Sequence, residues 1–452
     1  MLNRLEVDQA VFFSIAARGW QFLAGPLTVL LIGTFFSGEV QGYYYTFWSL
    51  IALQTVFDFS FQQVIVNFAS HEWGKLTLAA DDSIRGDADA ISRLASLLRT
   101  SLFWYAVAAA VFFVVVGAAG LWFFATAASS EQVVWRAPWL TLVGLTAVTF
   151  WATPCLAILE GCNQVRSVYQ LQFLRAVCGN LIVWMLIPLG AGLWVPAASA
   201  AVRLGCEFGW LIARHYHFFA TFLHAPRGAT IHWRTEVWPF QWRVGVKGLL
   251  TFFNTFMINP VVFYYHGEIA AGQLGMTWQI LTSLQAACMS WVKARTAQFG
   301  MLVAKCDFAE LDRIFVRLVS ISGTLLALAA FAVFVLVCGL DYWELPFASR
   351  LLPPLPTALL GLAVVILLLP ESQWTYIHAH KKSPHLALTI IGSLLSGGLF
   401  WLLGYRYGAL GVSAAYLGMT GLYYFPLWSW VWWTCRHEWH APAKASQPAV
   451  NE

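Results

Sequence analysis

Residues 101–127 read SLFWYAVAAAVFFVVVGAAGLWFFATA. No charged side chain interrupts the run, and it exceeds the roughly 20 apolar residues a helix needs to cross a bilayer. Comparable stretches lie on both sides of it. They predict spans near 10–36, 43–69, 101–127, 138–159, 167–190, 193–216, 243–265, 273–297, 315–340, 355–378, 385–404 and 408–434. The fold class is therefore an all-α polytopic membrane protein of about twelve transmembrane helices. Composition agrees: 59% of the chain is hydrophobic and 11% charged, against roughly 45–50% and 25% in a soluble domain. The 24 Trp and 15 Tyr suit anchoring at the membrane interface. Spans and short loops use up most of the 452 residues and leave little for a soluble domain.

The positive charges set the orientation. Of the 26 Lys and Arg, the outer loops hold only Arg136, Arg350 and Arg406. Arg18, Arg175 and Arg203 lie inside spans. The remainder, from Arg4, Lys75 and Arg85 to Arg436 and Lys444, falls in or beside alternate loops, as expected of a cytoplasmic face. Both termini are then cytoplasmic, with the first helix uncleaved. The eight cysteines are scattered and read as small apolar filler.

The longest polar connection in mid-chain runs from His217 to Gln241 and divides six spans from six. The predicted organisation is an N-terminal six-helix lobe (1–217), a cytoplasmic linker (218–241), a C-terminal six-helix lobe (242–435) and a cytoplasmic tail (436–452). A faint repeat accompanies it. Placing Arg18 on Lys247 brings Gly38-Glu39-Val40 onto Gly267-Glu268-Ile269.

Polar residues recur at helical spacing inside apolar spans, which points them at a partner helix or a watery cavity. The first span carries Ser14, Arg18, Gln21, Gly25 and Thr28. The second carries Gln54, Asp58 and Gln62, and the fifth Gln172, Arg175 and Gly179. The sixth carries Arg203 and Glu207; the seventh carries Lys247, Thr251, Thr255 and Asn259, with Asn254 beside them. A charge at a helix centre costs about 2.5–3.5 kcal/mol on insertion scales, so each needs a reason. Arg203 has Glu207 as an i,i+4 partner, leaving a structural pair or a ligand contact equally open. Arg175 has no acid spaced to pair with it. Arg18 either meets Asp58 across helices or lines a cavity. Lys247 either snorkels or joins the same cavity. Arg18, Arg175 and Lys247 sit on the order of 10 Å inside their cytoplasmic ends. An arginine fork matches phosphate oxygens there. The spanning acids Asp58, Glu207 and Glu371 are candidates for proton or sodium coupling, or counter-ions for arginine.

Other chemistry is missing from the sequence. There is no P-loop and no His-Glu-x-x-His motif. His437, Glu438 and His440 have the wrong spacing for a metal motif, and His378, His380 and His385 flank Lys381 and Lys382 near headgroups. Asp81 and Asp82 read as a solvated turn beside Arg85. No metal, cofactor or nucleic-acid partner is expected.

Four stretches carry a family likeness: Gly42-Tyr43-Tyr44-Tyr45, Leu159-Glu160-Gly161, Trp238-Pro239-Phe240-Gln241-Trp242-Arg243 and Gly272-Gln273-Leu274-Gly275-Met276-Thr277. With twelve spans, the chain resembles the O-antigen-type lipid-linked oligosaccharide flippases, the polysaccharide-exporter branch of the multidrug/oligosaccharidyl-lipid/polysaccharide (MOP) superfamily. The resemblance implies two six-helix bundles facing each other around a central cavity, with alternating access. It implies a polyprenyl-diphosphate-linked glycan as cargo in the bacterial inner membrane, with membrane lipids and polysaccharide polymerase or assembly proteins as partners. Basic residues in such cavities are expected to hold the diphosphate, and Arg18, Arg175, Arg203 and Lys247 suit that role by position though no family motif assigns them; with Gln21 and Asn254 they are the candidate substrate contacts. The alternative is an ion-coupled multidrug or small-molecule exporter of the same fold, which commonly uses an acid in the first or seventh span; 10–36 and 243–265 contain none. A membrane glycosyltransferase, polymerase or ligase would need a large outer loop bearing acids or bases, and the expected outer loops are short.

Overall fold

The computed structural model describes residues 2–79, 84–127, 133–223, 228–238, 241, 242, 245, 246, 249, 250, 252, 256–380 and 386–440; the side chains of 2–11, 14, 15, 18, 223, 234, 297, 386 and 387 lie outside that description. By contacts the chain divides into two compact units, Met1–Met276 and Thr277–Glu452.

The first unit begins with α1 (Leu2–Phe35), α2 (Gly38–Ile51), α3 (Gln54–Asp58) and α4 (Phe61–Trp73). A two-stranded hairpin, β1 (Leu76–Leu78) with β2 (Ile84–Gly86), leads into α5 (Ala88–Ala127), α6 (Arg136–Gly161), α7 (Val165–Leu186) and α8 (Trp194–Leu223). Asp81 and Asp82 lie outside the described residues. The quoted run 101–127 is the outer part of α5. It packs on α6, where buried Trp139 donates its indole N–H to the Gly117 carbonyl (3.3 Å). Small residues on α5 let such a ring in.

The second predicted span is broken. Phe59 and Ser60 both adopt left-handed backbone, and α2–α3 bends by 44° into α4. The stripe Gln54–Asp58–Gln62 is therefore not on one helix. Asp58 sits at the break, where its carboxylate accepts from the Tyr105 hydroxyl and the Gln62 backbone N–H. An acid at a helix start is a cap, so part of what marked Asp58 in the sequence is local structure.

The connection 228–238 docks on the first unit. The Gly228 and Ile231 amides donate to Ser92 and Ser96 Oγ on α5 (2.9 and 3.0 Å). Arg93 bridges Glu72 (2.7 Å) and Glu236 (2.8 Å), and Trp233 packs on Phe61 (4.6 Å between ring centroids). The His232 amide and the Arg93 guanidinium hold the Glu236 carboxyl below its usual range.

Helix α9 (Ile258–Ala294) is broken at Gly267, whose φ of +85° no helix accommodates. The chain reverses there. Asn259, with its amide turned to donate to the Ala271 carbonyl (2.8 Å), accepts from Thr46 Oγ1 (3.1 Å). Gly275 abuts Tyr45 of the same helix α2. An unbroken helix would separate 259 and 275 by roughly 24 Å. The seam against α2 is close: a Cβ on Gly42 would collide with the Glu268 carbonyl, and Gln41 Nε2 donates to the Gly272 carbonyl (2.8 Å). This packing places residues up to 276 in the first unit. The repeat noted in the sequence also gains a meaning, because Gly38 and Gly267 each begin a helical arm of this seam.

The second unit continues with α10 (Thr296–Ala304), α11 (Phe308–Tyr342), α12 (Pro354–Ala379), α13 (Leu386–Gly418) and α14 (Phe425–His440). Gly408 breaks α13 (φ +57°), at the first residue of the last predicted span. Five stretches pass as membrane spans by length and apolarity: Ala88–Ala127, Arg136–Gly161, Phe308–Tyr342, Pro354–Ala379 and Leu388–His440; the bent α2–α4 pair makes a sixth. Arg175 and Arg203, with their neighbouring polar residues, interrupt the apolar surfaces of α7 and α8.

Candidate functional site

Helices α7 and α8 run antiparallel in fixed register: Ser167 meets His215, Arg175 meets Glu207, and Gly179 meets Arg203. Each contact lies one or more turns from the next, so the polar face of α7 opposes the polar face of α8.

Glu207 is 1% exposed. Arg175 Nη1 donates to its Oε2 at 2.6 Å. The i,i+4 pairing of Arg203 with Glu207 is therefore corrected: the partner is Arg175, across the helix gap. Arginine one turn before glutamate is the weaker order on a helix. A facing helix at correct register offers the better geometry.

Arg203 is left without a carboxylate among the described residues. Its Nε is buried and has no hydrogen-bond partner, and its guanidinium lies over the Trp48 ring at 5.8 Å from the centroid. Gly179 makes the room, since a Cβ there would stand 2.9 Å from Arg203 Nε. Tyr44 and Arg175 lie within electrostatic reach. Glu207 pairs with Arg175 and leaves the neighbouring Arg203 uncompensated, a net positive charge in a half-buried position. A buried polar atom without a partner costs free energy, and such a group is ready for an anion. Guanidinium forks bind phosphate and carboxylate oxygens with two parallel hydrogen bonds.

The other expected contacts fall differently. Arg18 lies on α1, with its side chain outside the described residues; Lys247 and Asn254 also lie outside them. Gln21 is exposed on α1. Farther along its stripe, Thr28 Oγ1 accepts from Trp184 Nε1 of α7 (2.9 Å). Glu371 of α12 is half-buried, with Lys293 in electrostatic reach and no hydrogen bond to its carboxylate among the described residues. Trp48 and Tyr44 belong to the Arg203 site, yet the sequence marked neither as a contact. Their i,i+4 spacing on α2 was the available signal.

The cationic site thus lies between α7 and α8 of an all-α chain with five helices, or six counting the bent pair, long and apolar enough to cross a membrane. No family model matches this chain, and no curated protein matches it by sequence. Solved structures do match its fold. The lipid II flippase MurJ, in an inward closed conformation, is 14% identical over 93% of this chain and 87% of its own, with a TM-score of 0.60. A MOP-superfamily transporter from Pyrococcus furiosus, described by the reverse polarity of its binding pocket, is 13% identical over 96% of this chain and 95% of its own, with a TM-score of 0.57. The Vibrio cholerae MATE transporter VcmN is 12% identical over 96% of each chain, with a TM-score of 0.53. The chain has the fold of the MOP-superfamily transporters.

Proposed function

We propose that this protein is a flippase that moves a polyprenyl-diphosphate-linked oligosaccharide from the inner to the outer leaflet by alternating access, for cell-surface polysaccharide assembly. The observation that carries the reading is Arg203: a half-buried guanidinium inside a span, cradled by Gly179 and Trp48, with no carboxylate partner among the described residues. The fold of a lipid II flippase supports a lipid-linked cargo. The charge pattern supports a bacterial inner-membrane protein with cytoplasmic termini. Arg175 and Arg203 hold the diphosphate, with Arg18, Gln21, Lys247 and Asn254 as further contacts. Glu207 gives up Arg175 as the anion arrives, and a proton or sodium ion at Glu207, Asp58 or Glu371 drives the return.

The buried carboxylate of Glu207 favours a second reading, an ion-coupled exporter of cationic small molecules. Reconstitution in liposomes separates the two. A flippase transfers an undecaprenyl-diphosphate sugar between leaflets and leaves a cationic dye in place. Dye export without lipid transfer rejects the flippase reading.

A further inference from the structure

Helix α14 carries Arg436 and His440 four residues apart, and α12 carries Tyr376 with His380, its capping residue, at the same spacing. Side chains so spaced share a helix face. The structure sets these two faces together around Asp312 of α11. Arg436 donates through Nε (2.9 Å) and Nη2 (2.6 Å) to Asp312 Oδ2. The Tyr376 hydroxyl donates to Oδ1 (2.6 Å). His440 Nε2 then lies 3.4 Å from the Tyr376 oxygen and 3.4 Å from His380 Nε2. Phe308 stacks on the His440 ring at 4.0 Å.

The hydrogens follow from the partners. His380 Nδ1 faces the Tyr376 backbone carbonyl at 3.2 Å. A carbonyl only accepts, so Nδ1 carries the hydrogen and the neutral ring presents a bare Nε2. Tyr376 has given its hydrogen to Asp312. His440 Nε2 therefore faces two acceptors and is itself the donor. The neutral pair is satisfied in one arrangement of hydrogens.

We propose that His380 and His440 form a proton-operated latch, which fastens the C-terminal helix to α11 and α12 when both rings are neutral and releases it on acidification. A proton can enter His380 only at Nε2. With one ring charged, His440 shifts its hydrogen to Nδ1 and accepts from His380 Nε2; with both rings charged the two Nε2–H groups face each other, donor against donor. The other groups facing the pair are Asp312 from α11, Tyr376 from α12, and Arg436 and His437 from α14; His437 turns its ring against Trp433 (4.6 Å). His378 faces Trp374 (3.9 Å), and Lys381, Lys382 and His385 lie outside the described residues. Added positive charge thus meets Arg436, with Asp312 the acid in hydrogen-bond contact. The latched state binds protons less readily than the released one, so it holds above the imidazole range and opens below it. The inference is independent of the cargo.

Hydrogen exchange on the full-length purified protein tests it. Between about pH 7.5 and about pH 5.5, spanning the histidine range, amides 433–440 lose protection about 5- to 10-fold beyond the intrinsic pH effect, as expected for one lost hydrogen bond. The paired substitution His380→Gln and His440→Gln keeps an acceptor and a donor in place and abolishes the step. Arg436→Gln lowers protection at both pH values and keeps the step. Three outcomes overturn the proposal: flat protection in the wild type, a step that survives the paired substitution, or zinc-dependent protection at neutral pH that vanishes with it. The last would make the pair a metal site.

Discussion

Arg436 and Arg203 are both half-buried and both rest on tryptophan, at 5.7 Å from Trp432 and 5.8 Å from Trp48 respectively. They differ in what else they hold. Arg436 spends two of its donors on Asp312 in the first turns of α11. Arg203 has a buried Nε with no partner. The satisfied guanidinium fastens three helices of one unit. The unsatisfied one makes no hydrogen bond through its buried Nε, and under the proposed function an arriving anion offsets that desolvation.

The largest expected effect breaks the Arg175–Glu207 pair between α7 and α8. Glu207→Ala strands Arg175 opposite an apolar gap, and loss of one partner from a buried pair costs about 3–5 kcal/mol. Thermal unfolding in detergent should show a marked fall in Tm; an unchanged Tm would mean Arg175 has another partner, and that Arg203 is not the exception it looks. Asp312→Ala should cost about 2 kcal/mol, the range for hydrogen bonds to a charged group. It should exceed Arg436→Ala, because it also removes the Tyr376 contact, and the double substitution should add little beyond Asp312→Ala. Full additivity would dissolve the contrast with Arg203.

The smallest effect concerns the docked connection. The Glu236 carboxyl is held below its usual 4.5 by the His232 amide and Arg93. Its contribution is therefore complete above the ordinary carboxylate range and is lost as pH falls through the lower folded value. Being partly exposed, the bridge is worth up to about 1 kcal/mol. Limited proteolysis within 228–238 should speed up only below the carboxylate range, and Glu236→Gln should remove that dependence. Faster cleavage already at neutral pH in the wild type would show that the strap is not held by this pair.

Much of the fold was legible because spans are written in long apolar runs such as 101–127. The break at Gly267 falls in the predicted gap between spans, and that at Gly408 falls at the first residue of the last predicted span. The bend at Phe59 and Ser60 did not announce itself, since neither residue favours left-handed backbone and tertiary contacts impose it. At the site, spacing correctly put Arg175 with Gly179, and Arg203 with Glu207, on single faces. It could not reveal which carboxylate serves which arginine, because that depends on the register between α7 and α8. The contributions of Trp48, and of His380 facing His440, required distant helices to be brought together, and no local pattern encodes that.

The decisive measurement is leaflet transfer of an undecaprenyl-diphosphate sugar in liposomes by Arg203→Gln beside Arg436→Gln, each with its Tm. If Arg203 holds the anion, its loss cuts transfer about 10- to 100-fold, the scale of one or two charge-assisted hydrogen bonds, while Tm stays at or above wild type; Arg436→Gln does the reverse, lowering Tm and sparing transfer by the folded fraction. Wild-type transfer by Arg203→Gln, or a fall in its Tm as large as that of Arg436→Gln, would contradict the assignment.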